Sequence, residues 1–102
     1  MQLSEVDLNN PDNFLAGQPH EAYDLLRRGA PVFWHDEPDG PGFWVLTRHE
    51  DVRYVSRTPS IFSSTPHCLI WEPDPELIGV LSTVMINMDP PRHNQYRNTI
   101  NK

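Results

Sequence analysis

The sequence has 102 residues, a length that allows one domain or part of one and is too short for a large enzyme in itself. Apolar residues make up 37% and prolines number 11, about twice the average frequency, so much of the chain must be loop, which excludes a large helical bundle. The net charge is −6, with 8 basic and 14 acidic residues, which argues against a surface that binds nucleic-acid phosphates.

The first predicted element is a short amphipathic helix over residues 19–28. Pro19 suits an early position in a helix, because its missing N–H is not needed there. Ala22, Leu25 and Leu26 then follow at the spacing i, i+3 and i+4. This spacing places the three side chains on one apolar face of the helix.

A β-hairpin is predicted next, with strands at 31–35 and 42–47. Both segments are rich in β-branched and aromatic residues, and the Pro and Gly residues between them are typical of turns. A second helix is predicted over 48–57. Val52 and Val55 stand one turn apart in it and are expected on its inner face.

A long loop is predicted from 61 to 87, because prolines interrupt any regular pattern there. Residues 75–81 could still form one or two helical turns. The loop is more apolar than a solvated linker should be, so something must cover it. Its apolar residues include Leu69, Ile70, Trp71, Val84, Met85 and Ile86.

The last predicted element is a helix over 90–102. Asp89 is a good N-cap for it, and the two prolines that follow suit an opening turn. His93 and Arg97 then lie on one face, about 6 Å apart along the helix axis. No terminator follows, so the sequence is expected to be cut rather than complete. Together the elements predict a mainly α segment with a small β-hairpin, that is, an α+β segment.

Cys68 is the sole cysteine, which excludes an internal disulfide and favours a reducing cytoplasm. No apolar run approaches the ~20 residues that a membrane span needs, and the first ten residues lack the features of a secretory signal. Cys68 with its neighbour His67, and the His-Glu pairs at 20–21 and 49–50, lack the further ligands of a metal site. We therefore predict no metal site and no membrane span.

His93 and Arg97 form the main candidate site, because an imidazole and a guanidinium on one helical face suit carboxylate binding. By themselves such residues more often form a solvated helix face than a site. The residues around them, however, resemble the motif that opens helix C in bacterial members of the cytochrome P450 haem-thiolate monooxygenases. The matching residues are Met88, Asp89, Pro90, Pro91, His93 and Arg97. The order of the upstream elements is also similar, from about residue 11 onward.

The resemblance implies that residues 1–102 are the N-terminal segment of a single, mostly α-helical cytochrome P450 domain. It assigns His93 and Arg97 to binding the propionates of haem, iron protoporphyrin IX. It also implies that the loop before this helix lies over the haem and lines the substrate pocket. The candidates for that wall are Ile70, Met85 and Ile86.

The family's axial Cys and its oxygen-activating acid and Thr come from later parts of the chain, so no catalytic residue or metal ligand is predicted here. Cys68 does not match the ligand loop. The resemblance implies that the complete protein inserts one oxygen atom of O2 into a small organic substrate of lipid or sterol-like character. A ferredoxin-type redox partner would supply the electrons, and this segment would be inactive alone. The alternative is a stand-alone acidic binding module that docks a protein partner through the apolar loop 61–87.

Overall fold

The structure is a computed structural model that describes residues 1–101. This part of the chain contains four α-helices, a two-stranded antiparallel sheet and three short 3₁₀ helices. The α-helices are α1 (His20–Gly29), α2 (His49–Arg57), α3 (Pro75–Leu81) and α4 (Arg92–Ile100), and the strands are β1 (Val32–His35) and β2 (Phe43–Leu46). The predicted α+β segment is therefore confirmed.

The ends of the predicted strands and helices lie within two residues of the observed ends. Lys102, which the last predicted helix included, lies outside the described residues. The main correction concerns the predicted loop 61–87, which contains α3 and a 3₁₀ helix at Met85–Asn87. Helix α3 forms because the Asp74 carboxylate accepts the backbone N–H of Glu76 at 3.0 Å and so caps the first turn.

The chain divides into two compact units, which are described separately. In the first, Met1–Arg53, the core consists of Val6, Ala22 and Leu26, and Leu26 is fully buried. Leu25 is partly buried against this cluster, so the predicted apolar face of α1 is confirmed. Val6 comes from the N-terminal segment, for which the sequence predicted no element.

The hairpin presents one face to this core and one face outward. Its register pairs Val32 with Leu46, Phe33 with Val45, Trp34 with Trp44 and His35 with Phe43. Phe33 and Val45 pack against the core cluster, whereas Trp34 and Trp44 are exposed and meet edge to face at 5.1 Å. Gly42 has φ +84°, and a Cβ there would lie 2.6 Å from the Trp34 ring, so the turn into β2 requires glycine.

A buried histidine joins the N-terminal segment to the hairpin. His35 is 6% exposed, and its Nε2 accepts the backbone N–H of Leu8 at 2.9 Å. Its Nδ1 lies 2.7 Å from the carbonyl oxygen of Asp36, which can only accept, so the ring hydrogen is on Nδ1. The ring also stacks on Phe43 at 4.8 Å. Both ring nitrogens are therefore used within the first unit.

The predicted inner face of α2 is not buried. Val52 is 45% exposed, Val55 is half-buried, and α2 holds no buried side chain among the described residues. Two valines one turn apart are too weak a pattern to decide which side of a nine-residue helix meets a core.

The second unit, Tyr54–Lys102, has a small interior and an apolar exterior. Within its described part, the buried residues are Asn87 and Met88. Its exposed large apolar residues at positions 69–86 are Leu69, Ile70, Trp71, Leu77, Val80, Val84 and Ile86, which we call the apolar surface. Apolar surface of this extent is typical of a region that contacts further protein or a ligand. None of the helices in residues 1–101 is long and apolar enough to cross a bilayer.

Candidate functional site

Helix α4 carries the candidate residues, and its start differs from the prediction. The helix begins at Arg92, and Pro91 occupies the N-cap position without a side-chain cap. Asp89 contributes only its backbone carbonyl, which accepts the N–H of His93 at 3.0 Å. The predicted capping by the Asp89 side chain is therefore wrong. Pro90 and Pro91 have no N–H to donate, and the carboxylate binds Ser63 and Ser64 instead.

The carboxylate of Asp89 instead binds a segment far earlier in the chain. Its Oδ2 accepts a hydrogen bond from the hydroxyl of Ser63, and its Oδ1 accepts the backbone N–H of Ser64 at 2.8 Å. The bond from Ser63, followed by that from Ser64, holds the pKa of Asp89 below its ordinary value. The carboxylate is therefore ionised at neutral pH, when it can accept both hydrogen bonds.

Two further hydrogen bonds strengthen this junction. The hydroxyl of Thr65 donates to the carbonyl oxygen of Asn87 at 3.0 Å, and the Asn87 amide donates to the carbonyl oxygen of Leu81 at 2.8 Å. Asn87 is only 6% exposed, so leaving its amide unpaired would be costly. Residues 63–65 are thus tied to residues 87–89, and the segment between them forms a closed loop.

The side chain of His93 is held through one ring nitrogen. Its Nδ1 lies 3.0 Å from the carbonyl oxygen of Met85, and the residue is half-buried. Because a carbonyl oxygen can only accept, Nδ1 carries the hydrogen. Nε2 has no partner among residues 1–101, so it is the ring nitrogen that remains for a ligand.

Arg97 lies one turn beyond His93 and is exposed. Within the described part of the chain its guanidinium makes no hydrogen bond or ion pair. The other arginine of α4, Arg92, lies over the ring of Tyr96, 5.9 Å from its centroid. Helix α4 contains no Asp or Glu that could neutralise these charges.

This arrangement suits a ligand that carries two carboxylates. The planar guanidinium of Arg97 can bind one carboxylate through two parallel hydrogen bonds, and His93 lies about 6 Å away along the axis to meet another. Haem carries two propionates, so the donor set fits the cofactor that the resemblance implies. The structure brings both predicted residues onto one side of α4, and their role in haem binding stays a prediction.

The predicted pocket residues lie in the same unit as His93. Ile70 and Ile86 are exposed, at 51% and 66%, and Met85 is half-buried. Met85 is joined to His93 through its carbonyl group, a link that the sequence did not suggest. The role of all three side chains in a pocket stays a prediction.

The residues that sequence reasoning missed are those that tie the two ends of the loop. Ser63, Ser64 and Thr65 meet partners that are 26, 25 and 22 residues away in sequence. No local motif signals hydrogen bonds at such separations. The available hint was that Asp89 precedes two prolines, which leaves its carboxylate short of helical N–H donors.

Cys68 is exposed, and its thiol lies 3.4 Å from the carbonyl oxygen of Ile86. In residues 1–101 no group of three or more His, Cys, Asp and Glu side chains is placed to hold a metal ion.

Curated proteins match nearly the whole chain. Linalool 8-monooxygenase of Pseudomonas putida is 40% identical over an alignment of 106 residues, gaps included, that covers 96% of this chain and 26% of that protein. A protein of Mycobacterium tuberculosis that bears the name cytochrome P450 126 is 36% identical over 104 residues, 96% of this chain and 25% of that protein. Steroid C26-monooxygenase of Mycolicibacterium smegmatis is 35% identical over 109 residues, 97% of this chain and 26% of that protein.

The chain spans about a quarter of the length of these relatives. A comparison with models of protein families finds no match. Identities of 35–40% over almost all of its residues show that this chain belongs to the cytochrome P450 family.

Proposed function

We propose that this chain is the N-terminal part of a haem-dependent monooxygenase with the cytochrome P450 fold, in which it binds the haem propionates and lines part of the substrate pocket. The observation that carries the proposal is the pair His93 and Arg97 on one side of α4, with Nε2 and the guanidinium unpaired in residues 1–101. An unpaired guanidinium and an unpaired imidazole nitrogen, in a unit that also exposes an apolar surface, suit an apolar cofactor that has carboxylates at its edge.

Haem, when bound, supplies the iron at which O2 is activated, and a thiolate ligand to that iron favours O–O cleavage. Under this proposal the thiolate comes from a Cys outside these 102 residues, and Cys68 is not that ligand. A ferredoxin-type partner supplies electrons, and the protein works in the cytoplasm. The share of this chain is to bind and orient the cofactor and to exclude water from the substrate.

Arg97 would contribute a charge that is independent of pH. A guanidinium keeps its proton throughout the physiological range, and its fork matches both oxygens of a carboxylate. The Arg97 guanidinium has no acid partner in residues 1–101, so no ion pair within this part of the chain has to break before it binds a propionate. Arg97 is therefore the stronger of the two proposed anchors.

His93 would bind a propionate only in one protonation state. Its Nδ1 hydrogen is already donated to the carbonyl oxygen of Met85, so Nε2 must carry a second hydrogen in order to donate to a carboxylate. Arg97, in contrast, presents several N–H donors to a carboxylate at all times.

We expect His93→Ala in the full-length protein to raise the rate of haem loss, because it removes the proposed imidazole contact to a propionate. His93→Gln should raise it less, because the amide keeps an N–H donor. The rate of haem transfer to excess apomyoglobin measures both variants. Haem loss from His93→Ala that equals that of the parent protein would contradict the assignment of His93.

The substrate is proposed to be apolar and lipid-like. Two relatives are named for acting on linalool and on a steroid, and the apolar surface of the second unit suits contact with such molecules. Ile70, Met85 and Ile86 remain the candidate contacts. The proposal does not extend to the position on the substrate that is oxidised.

The proposed function is tested by the spectrum of the full-length protein. Reduced and exposed to carbon monoxide, it is expected to show the red-shifted Soret band of thiolate-bound haem. The 102-residue chain alone, treated in the same way, should lack this band because it contains no thiolate in a ligand loop. A full-length protein that binds no haem, or a chain that gives the band alone, would refute the proposal.

A further inference from the structure

One acidic residue connects three parts of the second unit. The carboxylate of Asp89 accepts hydrogen bonds from Ser63 and Ser64, and its carbonyl oxygen accepts the N–H of His93. Asp89 is therefore bound on one side to the start of the loop and on the other side to the proposed haem-binding residue. Neither the resemblance nor the propionate assignment gives this side chain a role.

The bonds of Asp89 are part of a larger junction. Thr65 and Asn87 are joined beside them, and Asn87 is bound in turn to the end of α3 at Leu81. The Met85 carbonyl that orients the His93 ring lies in the 3₁₀ helix immediately before this junction. A shift of residues 87–89 would therefore move both the backbone and the ring contact of His93.

The loop needs such a junction, because bringing its ends together costs conformational entropy that grows with loop length. The apolar surface within the loop is exposed, so few buried contacts in the described residues offset that cost. An ionised carboxylate is well suited to holding the two ends of the loop together, because hydrogen bonds to a charged acceptor are about twice as strong as those between neutral groups. The lowered pKa of Asp89 agrees with this preference for the charged form.

We infer that Asp89 is a positioning residue, which binds Ser63 and Ser64 through its carboxylate and thereby holds the Met85 carbonyl and the His93 imidazole in the geometry that receives a haem propionate. The inference rests on the proposed function. It predicts that Asp89 acts on haem only through His93. It also predicts that Ser63, through its hydrogen bond to Asp89, helps to position His93 although it is 30 positions away in sequence.

The test uses Asp89→Ala, Asp89→Asn and Ser63→Ala in the full-length haem protein, with Glu76→Gln as the matched control. Glu76→Gln removes an acidic charge from the same loop and leaves the junction intact. We expect Asp89→Ala to raise the rate of haem loss about tenfold. Asp89→Asn should have a smaller effect, because it keeps an oxygen that can accept the Ser64 N–H, and Glu76→Gln should have none.

Two readouts separate positioning from a general loss of structure. The ¹⁵N shifts of the His93 ring in the haem-free protein should show hydrogen on Nδ1 in the parent and a mixture of tautomers in Asp89→Ala. The double variant Ser63→Ala/Asp89→Ala should lose haem no faster than Asp89→Ala, because both remove the same bond. Additive effects, or unchanged ring shifts together with unchanged haem loss, would overturn the inference.

Failure of this inference can be told from failure of the proposed function. If His93→Ala and Arg97→Ala weaken haem retention while Asp89→Ala and Ser63→Ala do not, the propionate assignment stands and Asp89 has no positioning role. If none of the four variants changes haem retention, the propionate assignment itself is wrong, and the inference falls with it.

Discussion

Replacing Arg97 with alanine in the full-length haem protein is expected to accelerate haem loss by about 10- to 100-fold. This range corresponds to the loss of a hydrogen bond to a charged group, which contributes about 1.5–3 kcal/mol. The effect should be large because the Arg97 guanidinium has no partner in residues 1–101 and is free to give its whole hydrogen-bonding capacity to a propionate. Haem transfer to apomyoglobin, followed by its absorption change, measures the rate.

Arg92→Ala is the matched control for this experiment. It removes the same charge from the same helix, but Arg92 is five residues before Arg97 and lies over the Tyr96 ring. We expect little change in haem loss from it. Arg97→Lys should accelerate haem loss less than Arg97→Ala does, because an ammonium keeps the charge although it lacks the bidentate fork of a guanidinium. Equal haem loss in Arg92→Ala and Arg97→Ala would show that net charge, not a specific contact, is responsible.

The second large effect concerns the chain on its own. We expect the isolated 102 residues to be only partly ordered and to melt without a sharp transition. Among the described residues, the buried apolar side chains are Val6, Ala22, Leu26 and Met88, and the first three of them belong to one unit. A two-stranded hairpin is marginal without further packing, and so small a core offsets little conformational entropy.

Circular dichroism during heating and the dispersion of amide proton signals measure this property. A sharp cooperative melt with well-dispersed signals would contradict the expectation and favour the alternative, a stand-alone acidic module that docks a partner through its loop. In that case His93 and Arg97 would be available to a carboxylate of the partner instead of a haem propionate. The two functions therefore differ in a measurement that needs no substrate.

Local patterns were sufficient for most of the fold. The face of α1 follows from the spacing of Ala22, Leu25 and Leu26, and the hairpin follows from two β-rich segments separated by turn residues. For α3 the sequence predicts no more than one or two helical turns within a loop, because Pro73 and Pro75 interrupt the helical spacing of apolar residues. Its cap, Asp74, is a local feature that decides in favour of a helix.

The candidate site was predictable to the same extent. His93 and Arg97 are four residues apart in a predicted helix, and this spacing places both side chains on one face, so their proximity could be predicted from the sequence. The contacts of Asp89 with Ser63 and Ser64 depend on how a loop of more than twenty residues returns on itself. Local preference assigns Asp89 to the start of the nearest helix, but two prolines there lack an N–H, and the carboxylate binds Ser63 and Ser64 instead.

The glycine that leads into β2 also limits how the protein can be engineered. At Gly42 the backbone has φ +84° and the Trp34 ring leaves no room for a methyl group, so a cysteine for dye attachment or an inserted tag at this position would disturb the hairpin. Asp39, three residues earlier, is exposed and lies in the turn that connects β1 and β2. A fluorophore or affinity label is better tolerated there, well away in sequence from the helix that carries Arg97.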